Sequence, residues 1–308
     1  MMNGALSDLT FSGKDLLRAI KWTGLTPNND RRMIGLGQVA ATAKNQATGR
    51  PMVEAFSPPG FPPFSPNVPP ITIGKITEMV VLRKKMAEGV AKPSEVEYYE
   101  AQAAERAKDM QCAVEQAATA LIENRHMPLH VMGMLGPLFT VSELVRTKGY
   151  SAKDFQPNSL FLSGGLKGAQ LPANYREFIF ETLNLADERV CQAYGMQELN
   201  TLSPRCKKGR YHVAPWLLLL LLDESGEQLI DPSTKGEHEG RAAFLDLSLE
   251  GRWGGVISGD KIRVTWERCG CGNGSPSINP DIRRYADLAG GDKIACAGTI
   301  DAYVRGAT

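Results

Sequence analysis

Apolar positions recur at spacings of three and four along residues 94–123. Val96, Tyr99, Ala103, Ala107, Met110, Val114, Ala117 and Leu121 fall on one side of a helix of about 30 residues. Ser94 and Glu97 stand ahead of it at the spacing of a capping box. A shorter helix is predicted over 75–89, KITEMVVLRKKMAEG, closed by Gly89. After residue 124 the pattern changes. MPLHVMGML reads as a buried strand running into a glycine turn, and 142–148 as a helix. SLFLSGG reads as a strand ending in a glycine pair, 172–183 as a helix with Pro172 in its first turn, and RVCQAYG as another strand. Strands alternating with helices, with glycines at the strand ends, predict an α/β fold: a mixed sheet flanked by helices. Ligands of such sheets sit beyond the carboxyl ends of the strands.

From residue 211 short strands dominate, in YHVAPWLLLLLLDESGE, GRAAFLDLS and GGVISGDKIRVTW. Turn chemistry separates them, so a smaller β-rich lobe is expected. The run 213–222, VAPWLLLLLL, is read as a fully buried strand, being far shorter than the roughly 20 residues a membrane-spanning helix needs. Upstream, 15–22 has the pattern of a short helix. Eight prolines in 51–70 predict irregular chain, since proline fixes φ and removes a backbone donor. The expected organisation is therefore a proline-rich, irregular segment over 1–74, an α/β part over 75–205, and a β-rich lobe over 206–308.

Charge narrows the function classes. The chain carries 35 basic and 34 acidic residues, which argues against a dedicated nucleic-acid binder. The first residues, MMNGALSDLTFSG, lack the basic start and apolar stretch of a signal peptide, so a cytoplasmic location is expected. In that compartment six cysteines are thiols or metal ligands rather than a disulfide framework.

Several short segments carry candidate chemistry. Gly164 and Gly165 follow the strand SLFLS and allow close approach of backbone to a planar or phosphorylated ligand; a plain strand-to-helix turn accounts for them equally. Tyr194, Gly195 and Glu198, in YGMQE, also follow a strand. The tyrosine offers a flat face to a base, and the glutamate a carboxylate for Mg²⁺ on a triphosphate. Asp260, in SGD, is placed at a turn where it can accept both hydroxyls of a ribose; an ordinary β-turn has the same residues. Arg283 and Arg284 precede GGDKI. An arginine there can grip phosphate or ribose, although adjacent arginines are commonly just solvated. Cys206 and His212, in CKKGRYH, combine with Cys269 and Cys271, in CGC, to give three thiols and an imidazole. That is a closed tetrahedral Zn²⁺ donor set, or else four unrelated residues of a reduced protein.

The order of these segments resembles the adenylate-forming superfamily of acyl-CoA synthetases, luciferases and peptide-synthetase adenylation domains. It is closest to the phenylacetate-CoA ligase branch and to the acyl-protein synthetases of bacterial bioluminescence. The resemblance covers about residues 128–308 and implies part of the ligase large domain, with a structural zinc site in the smaller lobe. It implies an adenine slot near Gly164, Gly165 and Tyr194, Glu198 near Mg²⁺ and the acyl phosphate, Asp260 on the ribose, and Arg284 toward ribose or phosphate. ATP, Mg²⁺ and Zn²⁺ are the cofactors implied. The partners implied are a carboxylic acid and a thiol acceptor, either CoA or a protein cysteine, with a homo-oligomer or a partner subunit also open. Two family features lack a counterpart: the Ser/Thr/Gly-rich phosphate loop, for which 41–51 is the nearest segment, and the C-terminal lobe with its lysine. The alternative is therefore a non-catalytic protein that binds nucleotide or acyl-adenylate.

Overall fold

A computed structural model describes residues 6–22, 28, 30–37, 43–157, 159–163, 170–196, 198–233, 235–250 and 255–288. In chain order its elements are α1 (Leu6–Trp22), β1 (Arg32–Gly35), α2 (Ala43–Phe56), α3 (Ile73–Ala87), α4 (Pro93–Glu123), β2 (Leu129–Gly133), α5 (Leu135–Thr147), β3 (Leu160–Ser163) and α6 (Tyr175–Leu183). There follow β4 (Val190–Tyr194), β5 (Ser203–Pro204), β6 (Tyr211–His212), β7 (Leu217–Leu222), β8 (His238–Asp246), β9 (Gly255–Thr265), β10 (Ser277–Ile278) and β11 (Arg283–Arg284). They fall into two compact units. One takes in Pro27–Gln46 and Met52–Val190; the other takes in Cys191–Ala297 and, from the start of the chain, Met1–Thr26.

In the first unit β1, β2 and β3 run parallel, with Arg32 opposite Leu129 and His130 opposite Leu160. Parallel strands bury both faces, which explains their near-continuous apolar character. Ile34, Val131 and Phe161 pack with Ala117 and Leu121 of α4, Leu138 and Val141 of α5, and Ile179 of α6. Each of the larger of these side chains contributes roughly 1.5–3 kcal/mol by leaving water. The long helix forms as its periodicity predicts, but only its second half faces this core. Its first half lies near the small cluster of Ile76, Met79 and Leu82, to which it contributes Tyr99. The cap also differs from expectation: the helix starts at Pro93, and the Glu95 carboxylate, not Glu97, accepts the Lys92 backbone N–H at 2.9 Å. Helix α5 begins seven residues before the predicted 142. The proline-rich stretch is helical as far as Phe56, with Pro51 inside α2, because burial of Met52 and Phe56 outweighs the missing backbone bond.

In the second unit β6, β10, β9, β8 and β7 form an antiparallel sheet in that order, and β11 also pairs with β9. The leucine run is not a fully buried strand. β7 is the last strand of that order, and Leu218 (46% exposed) and Leu220 (36%) face outward while Leu217 and Leu221 are buried. Six identical side chains hide the period-two alternation that a half-buried strand normally displays. The glycine-led segment 240–243 lies within β8. Gly240 is required there because a Cβ would overlap the Leu222 carbonyl oxygen.

Candidate nucleotide and metal sites

The segment SGD is not a turn. Arg241 pairs with Lys261 and Ala243 with Ile257, so Ser258, Gly259 and Asp260 together lie opposite Ala242 alone. This is a β-bulge, a device that re-aims a side chain without ending the strand. Neighbouring groups hold it in place. Ser258 Oγ donates to the Ala242 carbonyl at 2.9 Å and accepts the Asp260 N–H at 3.1 Å. Arg241, 2% exposed, donates from Nη1 to the Ser258 carbonyl at 3.0 Å and from Nε and Nη2 to the Glu224 carbonyl. Its guanidinium lies 4.2 Å from the centre of the Tyr285 ring, within cation–π range.

The bulge brings three of the expected residues together. Tyr194, at the end of β4, donates its hydroxyl to Asp260 Oδ2 at 2.7 Å. Arg284, opposite Asp260 in the β9–β11 pair, meets Oδ1 through Nε at 3.1 Å. Burial and the adjacent Asp260 carboxylate push the Tyr194 phenol well above its ordinary pKa, so the hydroxyl stays a donor. Both Asp260 oxygens are thus engaged, yet each keeps a further lone pair, the capacity needed for hydroxyl donors of a diol. Gly195 is in close contact with Leu202: a Cβ there would come within 2.5 Å of Leu202 Cδ2. Glu198 lies in the turn that follows and is half-buried; its carboxylate makes no hydrogen bond or ion pair among the described residues. A carboxylate is a hard oxygen donor of the kind Mg²⁺ takes. Gly164, Gly165 and the segment GGDKI lie outside the described residues.

The second constellation is also assembled. Ligand atoms of Cys206, His212, Cys269 and Cys271 all lie within 4.8 Å of one another, with Cys271 Sγ 3.4 Å from His212 Nε2. In a tetrahedral zinc site neighbouring ligands stand about 3.5 Å apart, so the set needs only a small contraction to close on an ion. Two tight turns present the thiols. In one, the Gly209 N–H bonds the Cys206 carbonyl at 2.8 Å; in the other, the Gly272 N–H bonds the Cys269 carbonyl at 2.9 Å. Both glycines have φ in the left-handed region, +82° and +96°. His212 Nδ1 sits 3.2 Å from Ser275 Oγ, an outer contact that orients the ring and leaves Nε2 toward the thiols. Burial, with the charge of Arg210, lowers the His212 pKa and favours the neutral imidazole that ligates metal. Burial opposes ionisation of Cys269, but hydrogen bonds from Cys271 and Cys206 outweigh it and favour the thiolate.

No protein-family model matches the chain, and no curated protein matches it. Solved structures do. The alignment with an open conformation of 2-hydroxyisobutyryl-CoA ligase, in complex with 2-HIB-AMP and CoA, covers 94% of this chain at 14% identity with a TM-score of 0.56. This chain has the fold of part of that CoA ligase. It spans 55% of the length of that CoA ligase. Weaker matches of the same kind are the amide bond synthetase McbA from Marinactinospora thermotolerans (12% identity, TM-score 0.42, 89% of this chain and 44% of that one) and the anthranilate CoA ligase AuaEII with anthranoyl-AMP (11%, 0.44, 84% and 41%).

Within this ligase-like fold, sequence reasoning missed the residues that hold the site in place. Arg241 was invisible because an isolated arginine in an apolar segment has no motif. Asp246, 1% exposed, is another such residue. Its Oδ2 accepts the N–H groups of Asn200 and Thr201, both at 2.9 Å, and its Oδ1 binds Thr201 Oγ1 and the N–H and hydroxyl of Ser248. It fixes the segment just beyond Glu198. Among the described residues no helix is long and apolar enough to cross a membrane.

Proposed function

We propose that the protein activates a carboxylic acid with ATP, forming an acyl- or aryl-adenylate and pyrophosphate, and passes the acyl group to a thiol of CoA or of a protein cysteine. The observation that carries this reading is the Tyr194–Asp260–Arg284 constellation, built on a bulge in a fold shared with a ligase that binds an acyl-AMP. In this reading Tyr194 and Gly195 border the adenine, Asp260 takes the ribose hydroxyls, and Arg284 faces ribose or α-phosphate. Attack of the substrate carboxylate on the α-phosphate then needs mainly placement and charge neutralisation. Glu198 would hold Mg²⁺, which supplies shielding of the phosphate charge when bound. Cys206, His212, Cys269 and Cys271 would hold a structural Zn²⁺, whose closed donor set leaves no position for substrate. The order of motifs places the chain nearest the phenylacetate-CoA ligase and acyl-protein synthetase branch. Unpaired, metal-binding thiols fit a reducing compartment such as the cytoplasm.

Carboxylate-dependent exchange of labelled pyrophosphate into ATP, screened over acyl and aryl acids, tests this function. Exchange with at least one acid, lost in Glu198→Gln, supports it. Tight AMP binding without exchange for any acid would leave the second reading, a nucleotide- or adenylate-binding protein without catalysis.

A further inference from the structure

The N-terminal helix belongs to the same compact unit as the Tyr194–Asp260 site, and its contacts converge on one short segment. Asp15, 2% exposed, and Arg18 form an ion pair at 2.6 Å on successive turns of α1. Together they bind both backbone polar groups of Leu202. Asp15 Oδ2 accepts its N–H at 2.7 Å, and Arg18 Nη2 donates to its carbonyl at 3.0 Å. The Arg18 guanidinium also lies 5.2 Å from the ring centre of Trp216, whose other neighbour is the edge-on ring of Phe11 at 6.1 Å. Trp216 Nε1 in turn donates to Thr201 Oγ1 at 3.0 Å.

The result is an unusual anchoring of the segment after Tyr194. Three consecutive backbone N–H groups, of Asn200, Thr201 and Leu202, are each held by a buried carboxylate: Asp246 takes the first two and Asp15 the third. Charge-assisted bonds of this kind are about twice as strong as neutral ones. Neutral hydroxyl or amide side chains would have satisfied the same donors. The held N–H groups begin at Asn200, two residues after Glu198, whose own carboxylate is committed to no described residue. Leu202 also carries its side chain onto Gly195, so movement of Leu202 is transmitted back to the start of the turn. A rigid support under an acidic side chain is what a positioned ligand requires.

We propose that Asp15 and Arg18 are positioning residues: through Leu202, α1 holds the 198–202 segment so that Glu198 meets the Mg²⁺ of bound ATP. This rests on the ligase reading given above. The test compares wild type with Asp15→Ala, Arg18→Met and the milder Asp15→Asn, which keeps an acceptor for the Leu202 N–H and serves if Asp15→Ala does not fold. Hydrogen exchange is followed over 198–204, and pyrophosphate exchange is measured as a function of Mg²⁺. The expected result is at least tenfold faster amide exchange in that segment, at least a tenfold fall in kcat, and a severalfold rise in the Mg²⁺ needed for half-maximal rate. AMP affinity, measured without Mg²⁺, stays within twofold. Unchanged kcat and Mg²⁺ dependence despite faster amide exchange would overturn the proposal, as would an equal loss of AMP affinity, which marks general loosening. Wild-type protein showing no pyrophosphate exchange would overturn the ligase reading itself, and the positioning role with it. That outcome is distinguishable because it appears before any substitution is made.

Discussion

Replacing Asp246 by asparagine changes no volume, yet it should destabilise the protein strongly. The carboxylate is 1% exposed and accepts five hydrogen bonds: two from the backbone of Asn200 and Thr201 on one oxygen, and three from Thr201 and Ser248 on the other. An amide has a single oxygen. If its nitrogen takes the Oδ2 position, the N–H groups of Asn200 and Thr201 face another donor. If it takes Oδ1, the Ser248 N–H does so, and the two hydroxyls must turn to accept. Each buried donor left without an acceptor costs about 1–3 kcal/mol, so Asp246→Asn is expected to cost about 2–5 kcal/mol. That is a large part of a typical folding stability of about 5–15 kcal/mol. Urea unfolding at pH 7, with metal content checked before each titration, measures the loss. A change below about 0.5 kcal/mol would refute the reasoning, because it would mean these bonds are remade at no cost by water or by side-chain rotation.

Two further outcomes are expected. Metal analysis should find close to one zinc per chain, and chelation should lower Tm by at least several degrees; less than about 0.2 metal per chain would refute the four-residue site. The pKa of His130, buried on β2 against Phe56, is lowered to about 3, first by burial and then by the charge of Arg31. The unfolded chain therefore binds a proton that the folded chain does not. Stability should fall by about 1.4 kcal/mol per pH unit from near pH 6.5 down toward pH 3, close to 5 kcal/mol in all. His130→Phe should remove that component of the slope, and identical slopes in the two proteins would contradict it.

Much of the first unit was legible because its signals are local. The periodicity of α4 and the apolar runs of β2 and β3 depend only on near neighbours in sequence. The cluster of Cys206, His212, Cys269 and Cys271 was legible because few residue types ligate zinc, although its two halves are more than fifty residues apart. The bulge at Ser258–Asp260 was misread because glycine and aspartate are equally suited to a turn and to a bulge; only the pairing of Arg241 and Ala243 with β9 decides between them. The edge strand β7 was misread because its leucines carry no alternation. Asp15 escaped notice for a related reason: its partner, Leu202, lies 187 positions away and contributes only backbone atoms, which leave no trace in side-chain pattern.

Asp260 is where the account is most exposed. Isothermal titration of AMP and of 2′,3′-dideoxy-AMP into wild type and Asp260→Ala measures directly whether this carboxylate recognises a ribose. Wild type is expected to prefer AMP by at least tenfold, and Asp260→Ala to lose the preference with its metal content unchanged. Equal affinity of wild type for the two nucleotides, or unchanged AMP affinity in Asp260→Ala, would contradict it.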